Sequence, residues 1–161
     1  MGRLLITFLL CVAGVRKPIL YLSLYFKTHR QQYYELLDRV RTAGDWETWV
    51  EFFLTGVRDT SNQAAATARQ ILKLFEADRR KIEALGRPAA SVLRVHQFMQ
   101  GNPIVSIPGA AGKLSISAPT VAKAIEHMRR LRMIRETTGK QRRRLFVYDK
   151  YLAILNQGTE R

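Results

Sequence analysis

The chain has 161 residues, a length that suits one domain or two small ones, and a net charge of +14 from 27 basic and 13 acidic side chains. Residues 86–161 hold 14 basic and 4 acidic side chains, whereas residues 1–85 hold 13 and 9. This clustering predicts a polyanion partner at the C-terminal end, with a solubilising charged surface as the alternative. Because Cys11 is the one cysteine, a disulfide within the chain and a cysteine-based metal cluster are excluded, which suits the cytoplasm.

The first predicted element is an apolar segment, from Leu4 to Ala13, that ends at Gly14. The whole apolar run, from Leu4 to Val15, is about 12 residues long, too short to span a membrane. Its basic start and apolar middle are typical of a signal peptide, but the residues after it form a poor cleavage site. We therefore predict a buried helix and no membrane partner.

Amphipathic helices follow. Residues 22–41 are predicted to be helical, and Ala43–Gly44 breaks the pattern. Asp45 can cap the next helix. Large apolar residues recur there at steps of three and four and are predicted to lie in the core: Trp46, Trp49, Val50, Phe53 and Leu54.

A long connecting helix is predicted next. Thr60 and Gln63 have the spacing of a capping box, so we expect this helix to begin at Thr60 and to run to about Leu85, with an exposed stretch at 78–81. Gly86-Arg87-Pro88 ends it and marks a boundary. The predicted organisation is a first helical part (1–58), a connecting helix (59–87), a second domain (88–156) and a tail (157–161).

The second domain is predicted to be small and α+β. A helix at 90–100, an extended run at 104–107 and a brief helix at 108–114 precede Ser117, a plausible N-cap. Two β-rich runs on either side of a turn with Gly139 then predict a hairpin. Residues 151–155 add an apolar turn. The helix after Ser117 has one apolar face, formed by Val121, Ala124, Ile125, Met128 and Leu131.

A helix with a cationic outer face, followed by a hairpin with a cationic tip, is typical of a winged helix-turn-helix. In that fold one helix enters the major groove and the wing lies along the phosphates. We therefore predict DNA binding, with three residues in the groove: Ser117, Thr120 and Lys123. Four cations on the wing would contact phosphate: Lys140, Arg142, Arg143 and Arg144. Winged helices also dock proteins, so the fold alone does not decide the partner.

The sequence contains none of the common catalytic motifs. It has no nucleophile elbow, no phosphate-cradling glycine loop and no His-Glu-x-x-His pattern. Three histidines, His29, His96 and His127, lack ligand-like spacing. We predict no catalytic residue, no metal site and no cofactor in this chain.

Several segments nevertheless resemble the Fic family of protein AMP-transferases. They include Lys17-Pro-Ile-Leu-Tyr-Leu-Ser-Leu-Tyr-Phe26, Tyr33-Tyr-Glu-Leu-Leu-Asp-Arg-Val-Arg41 and Gly44-Asp-Trp-Glu-Thr-Trp49. Thr138-Gly-Lys-Gln-Arg-Arg-Arg-Leu-Phe-Val-Tyr148 resembles the winged helix that one branch of the family carries after its catalytic domain. The resemblance spans the whole chain. It implies a mainly α fold, in which an incomplete Fic-type helical bundle is followed by a small α+β winged helix-turn-helix domain.

The resemblance also implies what is missing. The family uses ATP and Mg to transfer AMP to a protein hydroxyl, through the signature His-x-Phe-x-(Asp/Glu)-Gly-Asn-Gly-Arg-x-x-Arg. Only its last arginine matches this chain, at Arg3, which would be a remnant of the nucleotide-binding site. Without the catalytic histidine and the metal-binding carboxylate, the chain alone is expected to be inactive.

Two functions remain open from the sequence. One is a truncated Fic-family protein whose winged helix binds DNA in a regulatory role. The other is the C-terminal half of an adenylyltransferase that is active only with the missing N-terminal part, its winged helix serving target recognition or regulation. The second would require an upstream Fic fragment or a protein target as partner.

Overall fold

The computed structural model describes residues 20–139 and 144–157. The chain forms two compact units, which divide between Thr67 and Ala68. The described residues are mainly helical, with seven helices and one three-stranded antiparallel sheet. The helix predicted at 4–13, Arg3 and the predicted wing residues Lys140, Arg142 and Arg143 lie outside this described part.

The first unit contains α1 (Leu20–Thr28), α2 (Arg30–Ala43) and the beginning of α3 (Trp46–Glu83). The single helix expected at 22–41 is two helices, because the backbone at His29 leaves the helical region (φ −102°, ψ 38°). Gly44 ends α2 in the left-handed conformation (φ +67°), as its lack of a side chain allows. Asp45 caps α3 as predicted, since its Oδ1 accepts a hydrogen bond from the Thr48 N–H at 3.2 Å.

The core of this unit is a small aromatic cluster between α1, α2 and α3. Its buried members are Leu22, Phe26, Tyr33, Leu36 and Phe52. The prediction that the apolar residues of α3 lie in the core is only partly right. Trp49 and Phe53 are half-buried against the cluster, whereas Trp46 is 62% exposed and Val50 and Leu54 are also exposed. The helix has apolar residues on two faces, and Phe52 lies on the buried one.

The expected start of a helix at Thr60 is wrong. Thr60 lies inside α3, and its hydroxyl donates to the Gly56 carbonyl oxygen at 2.7 Å. The hydroxyl of Thr60 therefore bonds to a carbonyl group one turn earlier in the same helix, and Thr60 does not act as a cap. The exposed stretch expected at 78–81 is also wrong at one position, because Asp78 is only 1% exposed.

The second unit begins within α3 and continues through α4 (Ala89–Gly101), β1 (Ile104–Ser106), α5 (Ile107–Leu114) and α6 (Ala118–Arg130). It is completed by β2 (Arg135–Glu136), β3 (Leu145–Val147) and α7 (Asp149–Asn156). The sheet order is β1-β3-β2, and both pairings are antiparallel. Phe146 is the register partner of Val105 on one side and of Glu136 on the other. The predicted helices of this part and the antiparallel pairing of the two hairpin strands are confirmed. The extended run expected at 104–107 is confirmed for 104–106, whereas Ile107 begins α5.

The core of the second unit is larger. Its buried members come from α3, α4, β1, α5, α6 and β3 and from the segments before β2 and after β3, while α7 contributes the half-buried Tyr151. The inner face of α6 is the one predicted from its periodicity, with Val121, Ala124, Ile125 and Met128 buried. The remaining buried members are Ile82, Val92, Val95, Met99, Val105, Ala110, Met133, Ile134, Phe146 and Tyr148.

A buried polar network joins the end of α3 to α4 and to the segment after β3. The Tyr148 hydroxyl donates to Asp78 Oδ2 at 2.7 Å, and Lys81 Nζ lies 2.7 Å from Asp78 Oδ1. His96 Nε2 lies 3.2 Å from the same hydroxyl. Burial, and then the hydrogen bond to Asp78, raises the pKa of Tyr148; burial lowers the pKa of His96, against the opposing charge of Asp78.

Within the described ranges, no helix has the length and apolarity needed to cross a bilayer.

Candidate nucleic-acid interface

The candidate interface begins at the N-terminus of α6. Ser115 (φ +52°) makes the turn between α5 and α6, and Ser117 is the N-cap that the sequence predicted. Ser117 Oγ accepts a hydrogen bond from the Thr120 N–H at 3.4 Å and lies 2.8 Å from Thr120 Oγ1. The two hydroxyls are therefore held next to each other at the solvent-facing start of the helix.

The outer face of α6 carries most of its charge. At 100° per residue, Lys123, Glu126 and Arg130 point away from the buried side of the helix. Lys123 is exposed, and among residues 20–139 and 144–157 no carboxylate lies within ion-pair distance of it. Its ammonium group is thus available to an external anion.

Glu126 changes the charge of this face, although it is not among the predicted site residues. One carboxylate oxygen accepts from Arg129 Nη1 at 3.0 Å, and the other accepts from Arg130 Nε at 3.4 Å. The spacing of three and four residues could have predicted both pairs. Two arginines that the sequence counted as cations are therefore partly neutralised.

The hairpin supplies the second part of the candidate interface, and of its four predicted cations only Arg144 lies in the described part. Arg144 Nη1 is 3.6 Å from Glu136 Oε2, and its guanidinium lies 5.6 Å from the centre of the Phe146 ring. The side chain is half-buried by these contacts. It is anchored to the sheet, so its charge is less available than that of Lys123.

A fourth ion pair joins the sheet to α7. Arg135 on β2 pairs with Asp149 at the start of α7, at 2.5 Å between Nε and Oδ2. These residues are too far apart in sequence for a local pattern to predict the contact. Between α6 and β2 lies a surface depression of about 430 Å³. It is lined by Ile134 and by charged residues of both signs: Glu126, Arg129, Arg130, Arg135 and Glu136.

The structure therefore places Ser117, Thr120 and Lys123 in the N-terminal half of α6 and at its cap, and Arg144 on the hairpin of the same compact unit. These side chains can form hydrogen bonds and ion pairs with phosphate or base edges. No group of three or more His, Cys, Asp or Glu side chains within 20–139 and 144–157 is arranged to hold a metal ion. No protein-family model matches the chain.

Proposed function

We propose that this chain is a Fic-family protein that lacks most of the family's catalytic signature, and that its residues 88–156 form a winged helix-turn-helix domain that binds duplex DNA in a regulatory role. The order α4-β1-α5-α6-β2-β3 and the sheet order β1-β3-β2 support this proposal. In it, α5, the turn at Ser115 and α6 are the helix-turn-helix, and the β2–β3 hairpin is the wing.

One observation carries the proposal: α6 is buried along one side and presents the exposed Lys123 on the other, in the half of the helix that follows the Ser117 cap. Among the residues that the structure describes, Lys123 has no ion-pair partner. Recognition helices contact base edges through their N-terminal residues. Ser117 and Thr120 can offer hydroxyl groups to bases there, and Lys123 can reach a base or a phosphate. The cations of the wing would then position the domain on the backbone.

A gel-shift assay with a random-sequence duplex tests this function. We expect the wild type to bind, and Lys123→Ala to weaken binding by about tenfold, within the range of a lost groove or phosphate contact. The combined change of Arg142, Arg143 and Arg144 to Ala should weaken it further.

Lys27→Ala is the matched control, since Lys27 is an exposed helical lysine in the first unit. It should leave binding unchanged. The proposal fails if the wild type does not shift the duplex, or if Lys27→Ala has the same effect as Lys123→Ala.

A second candidate follows from the resemblance and from the apolar surface of the first unit. Trp46, Val50 and Leu54 are exposed at four-residue steps along α3. They could bind an upstream Fic fragment, which would make this chain the C-terminal half of an adenylyltransferase that needs ATP and Mg. Co-expression with a fragment carrying the missing signature should then give co-purification and AMP transfer, and loss of co-purification on Leu54→Ser. Failure to co-purify would rule out this candidate.

A further inference from the structure

The central position on the outer face of α6 is occupied by an acid. Glu126 is the one carboxylate in the helix, and it lies between Lys123 and Arg130 on the side opposite the core. Its side chain is 46% exposed, and each of its oxygens accepts from one arginine. A carboxylate among the cations of this face lowers its affinity for phosphate, so it needs a reason beyond phosphate binding.

This carboxylate has two physical effects on DNA binding. It repels phosphates and competes with them for Arg129 and Arg130, so it weakens binding that depends on the backbone alone. In the major groove it can also accept a hydrogen bond from the exocyclic amine of cytosine, which is the usual partner of Glu in direct readout. Both effects act in the same direction, because both favour particular base pairs over arbitrary sequence.

We propose that Glu126 is a specificity-determining residue: it weakens binding to arbitrary duplexes by holding Arg129 and Arg130, and it selects a cytosine in the groove. This inference rests on the proposed DNA-binding function. It assigns the arginines two states, paired with Glu126 in the free protein and released to phosphates when the carboxylate is occupied by a base.

The test compares Glu126→Gln with wild type on a random-sequence duplex over a series of salt concentrations. Gln keeps the size of the side chain but removes its charge. We expect about tenfold tighter binding and a salt dependence steeper by about 1 to 2 in log–log slope, as one or two more cations reach phosphates.

Glu83→Gln is the matched control. Glu83 is an exposed acid on α3 that pairs with Arg79 at 2.8 Å across one helical turn. Like Glu126→Gln, the Glu83→Gln substitution removes one negative charge from the second unit, so it measures the general effect of net charge on DNA affinity. We expect it to change affinity by less than about twofold with an unchanged slope. Equal effects of the two variants would overturn the inference.

Selection from a pool of random duplexes provides the second measurement. Wild type should enrich sequences with cytosine at one position, and Glu126→Gln should lose that enrichment while it still binds DNA. If wild type binds DNA but Glu126→Gln keeps the same affinity, slope and sequence preference, the inference fails and the proposed function stands. If wild type does not bind duplex DNA, both fail.

Discussion

The two compact units differ in how completely they bury their apolar side chains. In the second unit fourteen buried residues form one core, and the large apolar side chains left exposed in its described part are Leu72, Ile104 and Leu145. In the described part of the first unit only five residues form the core, while Tyr34, Leu37, Trp46, Val50 and Leu54 are exposed. In the second unit α6 has one apolar face, and that face is buried. In the first unit α3 has apolar residues on two faces, and one of these faces is left exposed.

The units also differ in charge. Residues 68–157 carry 18 basic and 6 acidic side chains, but residues 1–67 carry 8 and 6. The unit with the larger core is therefore also the unit with most of the positive charge. A rigid support for a cationic helix is what DNA recognition requires, because a contact held in place loses less conformational entropy on binding.

The largest loss of stability should come from a substitution at the centre of the sheet. Phe146→Ala removes a buried core ring from β3, the central strand, and it should lower the free energy of unfolding by about 3–5 kcal/mol. Leu145→Ala on the same strand is the control, since Leu145 is 38% exposed and should cost far less. Urea denaturation measures both. Equal losses would show that the buried Phe146 ring does not contribute more to stability than the exposed Leu145 side chain.

The next largest effect should come from the buried network of the second unit. Tyr148→Phe removes the donor to Asp78 and should cost about 1–3 kcal/mol of unfolding free energy, because the buried carboxylate loses a partner. Tyr151→Phe is the control, as the Tyr151 ring packs nearby and is only half-buried. Thermal denaturation of both variants checks this, and equal shifts of Tm would contradict it.

The same network predicts a pH dependence. Burial lowers the pKa of His96 below its ordinary 6.5, so the unfolded chain binds a proton at a higher pH than the folded one. Stability from the neutral imidazole is full above about pH 6.5 and is lost as the pH falls through the folded pKa. The groups facing His96 are Tyr148, Gln100 and Phe75, with the charge of Asp78 opposing the shift.

Chemical denaturation between pH 7.5 and pH 5 measures this loss. His96→Gln should flatten the profile over that range relative to wild type. A wild-type profile that rises as the pH falls would contradict the sign of the prediction.

The smallest effect should come from the exposed face of the first unit. Trp46→Ala should change the unfolding free energy by no more than about 0.5 kcal/mol, because the side chain is exposed. Trp49→Ala should cost more, since Trp49 is half-buried and stacks on Phe53 at 5.5 Å between ring centres. A large loss of unfolding free energy for Trp46→Ala would mean that this face is covered in the protein. The two units would then differ less in how completely they bury their apolar side chains.

Structural features that depend on residues close together in the sequence could be predicted from it, whereas contacts between distant residues could not. The Ser117 cap, the inner face of α6 and the hairpin were predictable because local patterns determine them. The burial of Asp78 was not, because its partner Tyr148 lies 70 residues away. At Thr60 the local pattern was present, but the surrounding helix continued through it.

In the candidate site, too, only the features that depend on nearby residues could be predicted from the sequence. The position of Lys123 on the outer face of α6 followed from helical periodicity. The pairing of Arg129 and Arg130 with Glu126 was predictable from spacing, whereas the contact between Arg135 and Asp149 required the fold. A count of charges alone therefore overestimates the cations that are available on this unit.

The salt dependence of DNA binding tests the central claim most directly. If Lys123 and the wing cations neutralise about five phosphates, the logarithm of the binding constant for a random duplex should fall with the logarithm of salt at a slope of about −4 to −5. A fluorescence-anisotropy titration between 50 and 200 mM salt, roughly the range over which such contacts respond, measures it. A slope near zero would contradict the account, because the positive charge of the second unit would then have no role in binding.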